Sequence, residues 1–469
     1  MYGGFPATSS EVPRKQGDIS SVFVSLSGKG EATLSQRFAD QKRRLIAGRE
    51  DRVKRSWDRL LCKLRDEVRS IEQEGSSAAP RSFQDALRKR RVAVIRDVIP
   101  EAEARAYKEE IEAYVQRNLE TKRNLETKAF PPRDLQVFEL YWPKPRMRAR
   151  AHPNMVATQR FLMSFWYFHA ADAPISPVHP LTYADRPRIR QPGDAGFALG
   201  PHVDGGGVER WEDNGYGLGN EYDPWEASSR VSAVADSYNG AGTCSMFRMF
   251  QGWLGLSHTG PKEGTLLVNP ILSMATAYFL LRPFFAPVSL PPAGGSCLAL
   301  DMYLDPTNWC LEEHVSSKLE GASPGYAQEL SSVLHPHLQL DKTMVHVPQI
   351  APGDYVAWHC DTIHAIDKVH QGQGDPSVMY IPACPVTEAN AKYVQRQKQD
   401  FLAGVPPPDF PGGKGEREHH GRTTEAELRE WADEQGLRSF GFAGWDAQRE
   451  NLNQGQRSVL EKANQILDL

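Results

Sequence analysis

The chain has 469 residues, with 55 Lys and Arg against 59 Asp and Glu, and a formal net charge of −4. The basic residues are dispersed, which argues against a nucleic-acid-binding surface and against a polybasic membrane patch. The longest apolar run, 271–281, is too short to span a bilayer and predicts a buried helix. The expected partner is therefore a small molecule, with no nucleic acid and no membrane.

The six cysteines are scattered, without the close spacing of a disulfide framework or a Cys-x-x-Cys metal site. This usage indicates a reducing compartment. The first residues also lack the charged and apolar regions of a signal peptide. We expect a cytoplasmic protein.

The first part of the chain is predicted to be helical. Residues 1–30 are rich in Gly and Ser and predict a flexible N-terminal arm. Within 31–130, apolar residues first recur every three or four positions, as they do on an amphipathic helix, and a short apolar strand follows at 92–99. This region is predicted to be a helical buttress that contains the first strand.

Short strands separated by Gly and Pro turns dominate 131–388, with a loop-rich insertion at 283–330. The segments 337–347 and 353–358 are predicted to form a hairpin joined by the turn at 348–353. Residues 389–469 are polar and predict a helical C-terminal extension. The expected fold is a mainly β core with α flanks: a double-stranded β-helix, or cupin-like jelly roll, with helical extensions at both ends.

The stretch His202-Val203-Asp204-Gly205-Gly206-Gly207 carries the first chemical signal. Side chains two residues apart on a strand point to the same side, so His202 and Asp204 can converge on one metal ion. The glycines allow backbone or ligand to approach closely. This is half of the two-His, one-carboxylate triad that binds Fe(II) in non-haem oxygenases.

A second stretch, 353–364, offers the missing histidine. Gly353-Asp354 predicts a turn, an apolar strand follows it, and His359 and His364 come next. The two histidines are five residues apart and would lie on opposite faces of a regular strand, so at most one of them is expected to bind the metal.

The order and spacing of these motifs resemble the Fe(II)- and 2-oxoglutarate-dependent oxygenase superfamily, in its phytanoyl-CoA-hydroxylase-like branch. In that branch the iron-binding histidine falls five residues after a preceding His, which selects His364. The chain is most similar to a fungal and bacterial group of large oxygenase-like proteins of unknown function. The motifs that carry this similarity are Arg188-Ile189-Arg190, His202-Val203-Asp204, Glu209-Arg210-Trp211 and Met379-Tyr380-Ile381-Pro382.

The resemblance implies that His202, Asp204 and His364 are the metal ligands and catalytic residues, with Fe(II), 2-oxoglutarate and O2 as cofactors. The implied reaction oxidises an unactivated C–H bond by hydroxylation, desaturation or ring closure. The expected substrate is a small polar metabolite, and an arginine-rich lining would favour one that bears a carboxylate. Some fungal relatives resemble enzymes that act on amino acids in secondary metabolism, which favours an amino acid or a similar small acid.

One feature departs from the superfamily pattern. The distal carboxylate of 2-oxoglutarate is usually bound by an Arg about ten residues after the second iron histidine, but the segment 365–387 contains none. The only substitutes there are Lys368, Ser377 and Tyr380.

Three arginines elsewhere are candidates for the anchor, because a guanidinium binds a carboxylate bidentately. They are Arg188 and Arg190 before the His202 motif and Arg248 after it, and each could equally serve a structural ion pair. Trp253 matches a superfamily position near the co-substrate, and Gln251, two residues earlier, would share its face. The missing anchor leaves two other functions open: a cupin-like metal-dependent hydrolase or isomerase, and a non-catalytic jelly-roll binding protein.

Overall fold

The computed structural model describes residues 14–15, 24–25, 32–74, 83–118, 129–130, 137–195, 198–215, 223–240, 243–290, 297–412 and 415–469. Most of the predicted N-terminal arm lies outside these residues. Arg14, one of the few described residues of that arm, makes ion pairs with Asp236 at 2.7 Å and Asp409 at 2.9 Å. In the described part of the chain, no helix combines the length and apolarity needed to cross a bilayer.

Helices precede most of the strands in the chain and follow the last of them, and others lie between strands. The buried helix expected at 271–281 is confirmed as Leu272–Leu281. Polar caps fix several of the boundaries: the Thr387 side chain accepts a hydrogen bond from the Asn390 backbone at the start of one C-terminal helix. The helices are Arg37–Ile46, Glu50–Glu74, Phe83–Arg90, Glu101–Arg117, Lys144–Ala151, Pro153–Met163, Leu272–Leu281, Cys297–Leu304, Leu340–Thr343, Glu388–Ala403, Glu425–Trp431, Glu434–Ser439 and Gln454–Leu467.

The strands are short and are numbered here in chain order. They are β1 Val92–Ile95, β2 Ala129–Phe130, β3 Val137–Phe138, β4 Ser176–Leu181, β5 Pro187–Ile189, β6 His202–Val203, β7 Phe250–Gly255, β8 Leu266–Val268, β9 Phe285–Pro287, β10 Trp309–Leu311, β11 Gln328–Glu329, β12 Val345–His346, β13 Tyr355–His359, β14 His364–Ile366, β15 Ser377–Tyr380 and β16 Cys384–Val386.

Two antiparallel sheets form the centre of the molecule. The larger sheet has the order β1-β13-β7-β15-β5-β3-β2, and the smaller has the order β11-β6-β14-β8-β12. Two further sheets pair β10 with β9 and β16 with β4. Neighbours in space are mostly distant in sequence, so chain segments from all parts of the β region are interleaved.

The outer face of the larger sheet packs against helices. Leu254, Tyr355 and Met379 belong to a buried cluster with apolar side chains of the helices Glu101–Arg117 and Pro153–Met163. Because successive side chains of a strand alternate between faces, their neighbours along each strand point to the other side.

The inner face of the larger sheet packs toward the smaller sheet. Trp253, Val356 and Trp358 form a buried cluster with Leu266 and Val268, which belong to β8 of the smaller sheet. The inner faces of the two sheets therefore share one apolar interior.

The outer face of the smaller sheet is covered by N-terminal helices and by the helix Leu272–Leu281. Val203 packs there in a cluster that contains Trp57 and Tyr278, whose rings stack with centroids 5.4 Å apart. Burial of an aliphatic side chain of this size contributes about 1.5–3 kcal/mol. The packing of Val203 on this outer face places its neighbour His202 on the inner face.

The predicted hairpin of 337–347 with 353–358 is wrong. β12 pairs with β8 of the smaller sheet, whereas β13 pairs with β1 and β7 of the larger sheet. A turn is present at 351–354, where the Asp354 backbone N–H donates to the Ala351 carbonyl oxygen at 3.1 Å, and the chain passes there from one sheet to the other. Turn residues determine a local reversal, whereas the choice of partner strand depends on side-chain packing over the whole interior.

Candidate metal centre

Two neighbouring strands of the smaller sheet bring the candidate ligands together. His202 on β6 and His364 on β14 are direct partners in the antiparallel register, and their ring centroids are 4.1 Å apart. Asp204 follows β6 directly and lies on the same side of the chain as His202. The structure therefore brings together three side chains, of which the first and the last are 162 positions apart in the sequence.

The ligand atoms are close enough to share one ion. The Nε2 atom of His202 is 3.1 Å from Oδ1 of Asp204, and Nε2 of His364 is 3.8 Å from Oδ2 of the same carboxylate. One potential ligand atom from each residue lies within 4.8 Å of the others.

Backbone carbonyls orient both imidazoles. Nδ1 of His202 is 2.7 Å from the carbonyl oxygen of Gly200, and Nδ1 of His364 is 3.0 Å from that of Thr362. A carbonyl oxygen only accepts hydrogen bonds, so each Nδ1 carries the proton. The Nε2 lone pairs are then available in the interior, as is usual for histidines that bind metals.

This arrangement fits a cation. Nε2 of His202 faces Oδ1 of Asp204 across 3.1 Å, and either a proton on Nε2 or a metal ion between the two atoms satisfies this contact. A metal ion satisfies all three residues at once. A proton on Nε2 of His202 would satisfy only the contact between His202 and the Asp204 carboxylate.

The electrostatics keep the ligands in metal-binding form. Burial, reinforced by the neighbouring His202, lowers the pKa of His364 to about 3, so its imidazole is neutral near pH 7. Burial opposes ionisation of Asp204, but His202, His364 and Arg248 outweigh it and hold the pKa of this carboxyl below its usual range. The site thus presents one carboxylate and two imidazoles.

His359, the other histidine of the second stretch, has different contacts. Its Nε2 lies 2.6 Å from the carbonyl oxygen of Pro224, and its Nδ1 accepts a hydrogen bond of 3.1 Å from the backbone N–H of Asp361. Its ring stacks on Trp166 with centroids 4.6 Å apart. Both ring nitrogens are thus engaged in the fold, on the outer face of the larger sheet, whereas His364 lies on the smaller sheet.

A buried ion-pair network that the sequence did not indicate lies beside the centre. Asp361, in the turn between β13 and β14, accepts hydrogen bonds from Arg210 at 3.0 Å and from Arg230 at 2.5 Å. Arg210 also donates to the carbonyl oxygen of Gly206, just after Asp204. The network links the turn that precedes His364 to the glycine loop that follows Asp204. Its partners are more than 130 residues apart in sequence, and no local pattern identifies them.

The structure separates the three candidate arginines. Arg190 is engaged in the fold, since its Nε is 3.0 Å from Oδ2 of Asp194 and its Nη1 donates to the carbonyl oxygen of Asp367. Arg248 lies at the metal centre, with Nη2 3.9 Å from Oδ2 of Asp204. Arg188 is a buried residue of β5, an internal strand between β15 and β3.

Gln251 and Trp253 lie together on the inner face of β7, as their two-residue spacing predicted. Trp253 packs in the apolar interior. Gln251 is the register partner of Trp358, whose ring centroid is 5.1 Å from that of His364. The buried Nε2 of Gln251 and Nε1 of Trp358 have no hydrogen-bond partner within the described ranges. Trp358 is therefore a site-lining residue that the sequence analysis did not single out.

Comparison with known proteins identifies relatives that share this architecture. The crystal structure of GlcNAc Inducible Gene 2 (GIG2, DUF1479) from Candida albicans aligns over 94% of this chain and 96% of that chain, with a TM-score of 0.78 and 27% identity. A Salmonella typhimurium LT2 structure, provisionally named an oxidoreductase, aligns over 87% of this chain and 98% of that one, with a TM-score of 0.68 and 28% identity.

Sequence comparison leads to the same group of proteins. The uncharacterized protein YbiU of Escherichia coli (strain K12) is 34% identical over 303 residues, which are 62% of this chain and 65% of that protein. The aligned part thus spans slightly less than two thirds of YbiU. The profile of the Gig2-like family matches residues 32–442. The chain therefore belongs to the Gig2-like family.

Proposed function

We propose that this chain is a non-haem Fe(II)- and 2-oxoglutarate-dependent oxygenase. The observation that carries the proposal is the convergence of His202, Asp204 and His364 on the inner face of a two-sheet antiparallel core. Two imidazoles and one carboxylate leave several coordination positions of an iron ion open for small ligands. The name of the Salmonella relative agrees with redox chemistry.

The arrangement of the strands supports a double-stranded β-helix as the framework of this site. In the smaller sheet, β6, β14, β8 and β12 are adjacent, and in the larger sheet β13, β7, β15 and β5 are adjacent. The chain alternates between the two sheets along most of this region, which is the pattern of a jelly roll. A rigid pair of sheets suits a metal site because it holds ligands from distant segments in a constant geometry.

The chain's own residues would hold and orient the reactants. Bound Fe(II) would supply the activation of O2, coupled to oxidation of 2-oxoglutarate to succinate and CO2. Asp204 and the two imidazoles would hold the metal, and the apolar interior around Trp253 and Trp358 would exclude water from it. The side-chain hydrogen bonds to the Gly200 and Thr362 carbonyls keep both rings in the binding tautomer.

Arg248 favours a substrate that bears a carboxylate. Its guanidinium is permanently charged, and its side chain is 13% exposed beside Asp204. Its one ion pair among the described residues is the 3.9 Å contact with the Asp204 carboxylate. Metal binding would draw the Asp204 charge toward the ion and leave Arg248 available to a substrate carboxylate. An amino acid or a similar small acid fits this requirement.

The experiment is a turnover assay on metal-free protein reconstituted with Fe(II), with succinate formation from 2-oxoglutarate as the readout. Succinate is expected from the wild type and not from Asp204→Ala or His364→Gln. His258→Gln, which changes an exposed histidine, is the matched control and should behave as the wild type does. Metal uptake without succinate would instead indicate a hydrolase or isomerase. The absence of both would indicate a binding protein.

A further inference from the structure

The inner face of the larger sheet has three rows of side chains that the strand register defines. Successive rows are separated by two residues along each strand, so the side chains in all three rows point to the same face. The first row contains Gln251 and Trp358, the second contains Trp253, Val356 and Tyr380, and the third contains Gly255, Val378 and Arg188.

The first row lies at the level of the metal centre. The ring centroid of Trp358 is 5.1 Å from that of His364. The buried amide of Gln251 and the indole N–H of Trp358 both lack hydrogen-bond partners among the residues that the structure describes. Buried donors without partners are costly, so these two groups indicate a ligand with acceptor oxygens at the metal end.

The third row carries a buried cation. Arg188 is 3% exposed, and its neighbour Ile189 packs into the cluster on the outer face of the sheet. Arg188 therefore points inward, toward the interior that contains the metal centre. Four residues of strand separate the first row from the third, which is about 13 Å at strand spacing. The imidazole of His364 and the long side chain of Arg188 would occupy part of that interval, and a short dicarboxylate would occupy the rest.

The register also explains how the superfamily's usual anchor is replaced. The expected Arg would come about ten residues after His364, just before β15, and the inner positions of β15, Val378 and Tyr380, carry no cation either. Val378 is the direct register partner of Arg188 on β5. The guanidinium of Arg188 therefore stands on the strand next to β15, beside the first inner position of that strand.

We propose, on the basis of the function proposed above, that Arg188 binds the distal carboxylate of 2-oxoglutarate. A guanidinium holds a carboxylate through two parallel hydrogen bonds, which fixes the orientation of the ligand as well as its charge. Arg190 is engaged by Asp194, and Arg248 stands at the metal end beside Asp204. Arg188 is the candidate whose row in the sheet lies where the distal carboxylate of a metal-chelated 2-oxo acid is expected.

The test compares two ligands of equal carbon count in calorimetric titrations of Mn(II)-loaded protein. One is 2-oxoglutarate, and the other is 2-oxovalerate, in which a methyl group replaces the distal carboxylate. The wild type should prefer 2-oxoglutarate by at least about 30-fold, the lower end for loss of one partner of a buried charge pair. Arg188→Met should bind both acids about equally, while its Mn(II) affinity stays unchanged because the metal ligands lie on the other sheet.

Two further variants test the role of Arg248 and the need for a guanidinium at position 188. Arg248→Met should retain the preference for 2-oxoglutarate, because its guanidinium lies at the metal end. Arg188→Lys should reduce the preference by about tenfold, since an ammonium cannot bind bidentately, and it serves the test if Arg188→Met does not fold.

The outcomes separate this inference from the proposal on which it rests. An undiminished preference in the Arg188 variants would overturn the assignment of Arg188 while leaving the oxygenase intact. Loss of the preference in Arg248→Met alone would transfer the role to Arg248 and equally overturn the inference. A wild type that binds Mn(II) but shows no preference would overturn the role of 2-oxoglutarate, and a wild type that binds no metal would overturn both proposals.

Discussion

Replacing Asp361 by Asn should destabilise the protein strongly. Asp361 is 1% exposed, and its partners Arg210 and Arg230 are 2% and 4% exposed, so the three charges are removed from water together. The isosteric amide removes the one negative charge that faces both buried guanidinium ions in this network. Breaking a buried ion pair by removal of one partner costs about 3–5 kcal/mol, and we expect a loss in that range.

The measurement is equilibrium urea unfolding at pH 7, with the free energy of unfolding obtained by linear extrapolation. Glu425→Gln is the matched control, because Glu425 pairs with Arg429 on an exposed helix surface where the side chains are 39% and 48% exposed. Such surface pairs contribute at most about 1 kcal/mol. Comparable losses in the two variants, both below about 1 kcal/mol, would refute the idea that Asp361 compensates buried charge.

The same substitution should weaken metal binding. Asp361 holds the turn that leads to His364, and through Arg210 it is connected to Gly206 beyond Asp204. Calorimetric titration of Asp361→Asn with Mn(II), at a temperature where the variant is still folded, should show lower affinity than the wild type. Unchanged affinity would mean that the network stabilises the fold without positioning the ligands.

Three other substitutions are predicted to have distinct effects. Burial raises the pKa of Glu209 from 4.5 to about 7. The stability of the wild type should therefore fall as pH rises from 4.5 through 7. In urea titrations Glu209→Gln should show a flatter pH profile, with a free energy of unfolding at pH 8 that is higher by up to about 3 kcal/mol. His359→Gln should keep its Mn(II) affinity and lose thermal stability, because His359 contacts Trp166 and Pro224; loss of metal binding would contradict its structural role. Arg14→Ala should lower the free energy of unfolding by about 3 kcal/mol, since it leaves Asp409 buried without its guanidinium partner; an unchanged unfolding midpoint would show that the arm residue is dispensable.

Local sequence patterns were sufficient for the elements whose structure depends on near neighbours. The apolar run at 271–281 forms a helix because its residues are helix-compatible over almost three turns and end at Arg282-Pro283. The convergence of His202 and Asp204 also follows from their two-residue spacing, since strand geometry directs both side chains to the same side. The choice of His364 over His359 required the family resemblance in addition, because spacing alone allowed either histidine.

The sequence did not predict which strands pair with one another in the two sheets. The segments around β12 and β13 carry a turn between them, yet each strand joins a different sheet. A turn restricts only the few residues that form it, whereas strand pairing depends on which side chains fill the shared interior. This is why the predicted hairpin was wrong. Of its first segment, 337–347, only Val345–His346 is a strand, and it follows the short helix Leu340–Thr343, whereas the second segment corresponds to β13.

The sequence by itself identified the candidate metal ligands and placed His202 and Asp204 on one side of their strand, because side-chain type and strand periodicity are local properties. Tertiary structure alone decided how two of the buried arginines are placed: Arg248 beside Asp204, and Arg188 on the inner face of the larger sheet. Arg190 pairs with a carboxylate only four residues away, whereas the surroundings of Arg248 and Arg188 are set by groups distant in sequence. Those groups become neighbours only when the two sheets pack together.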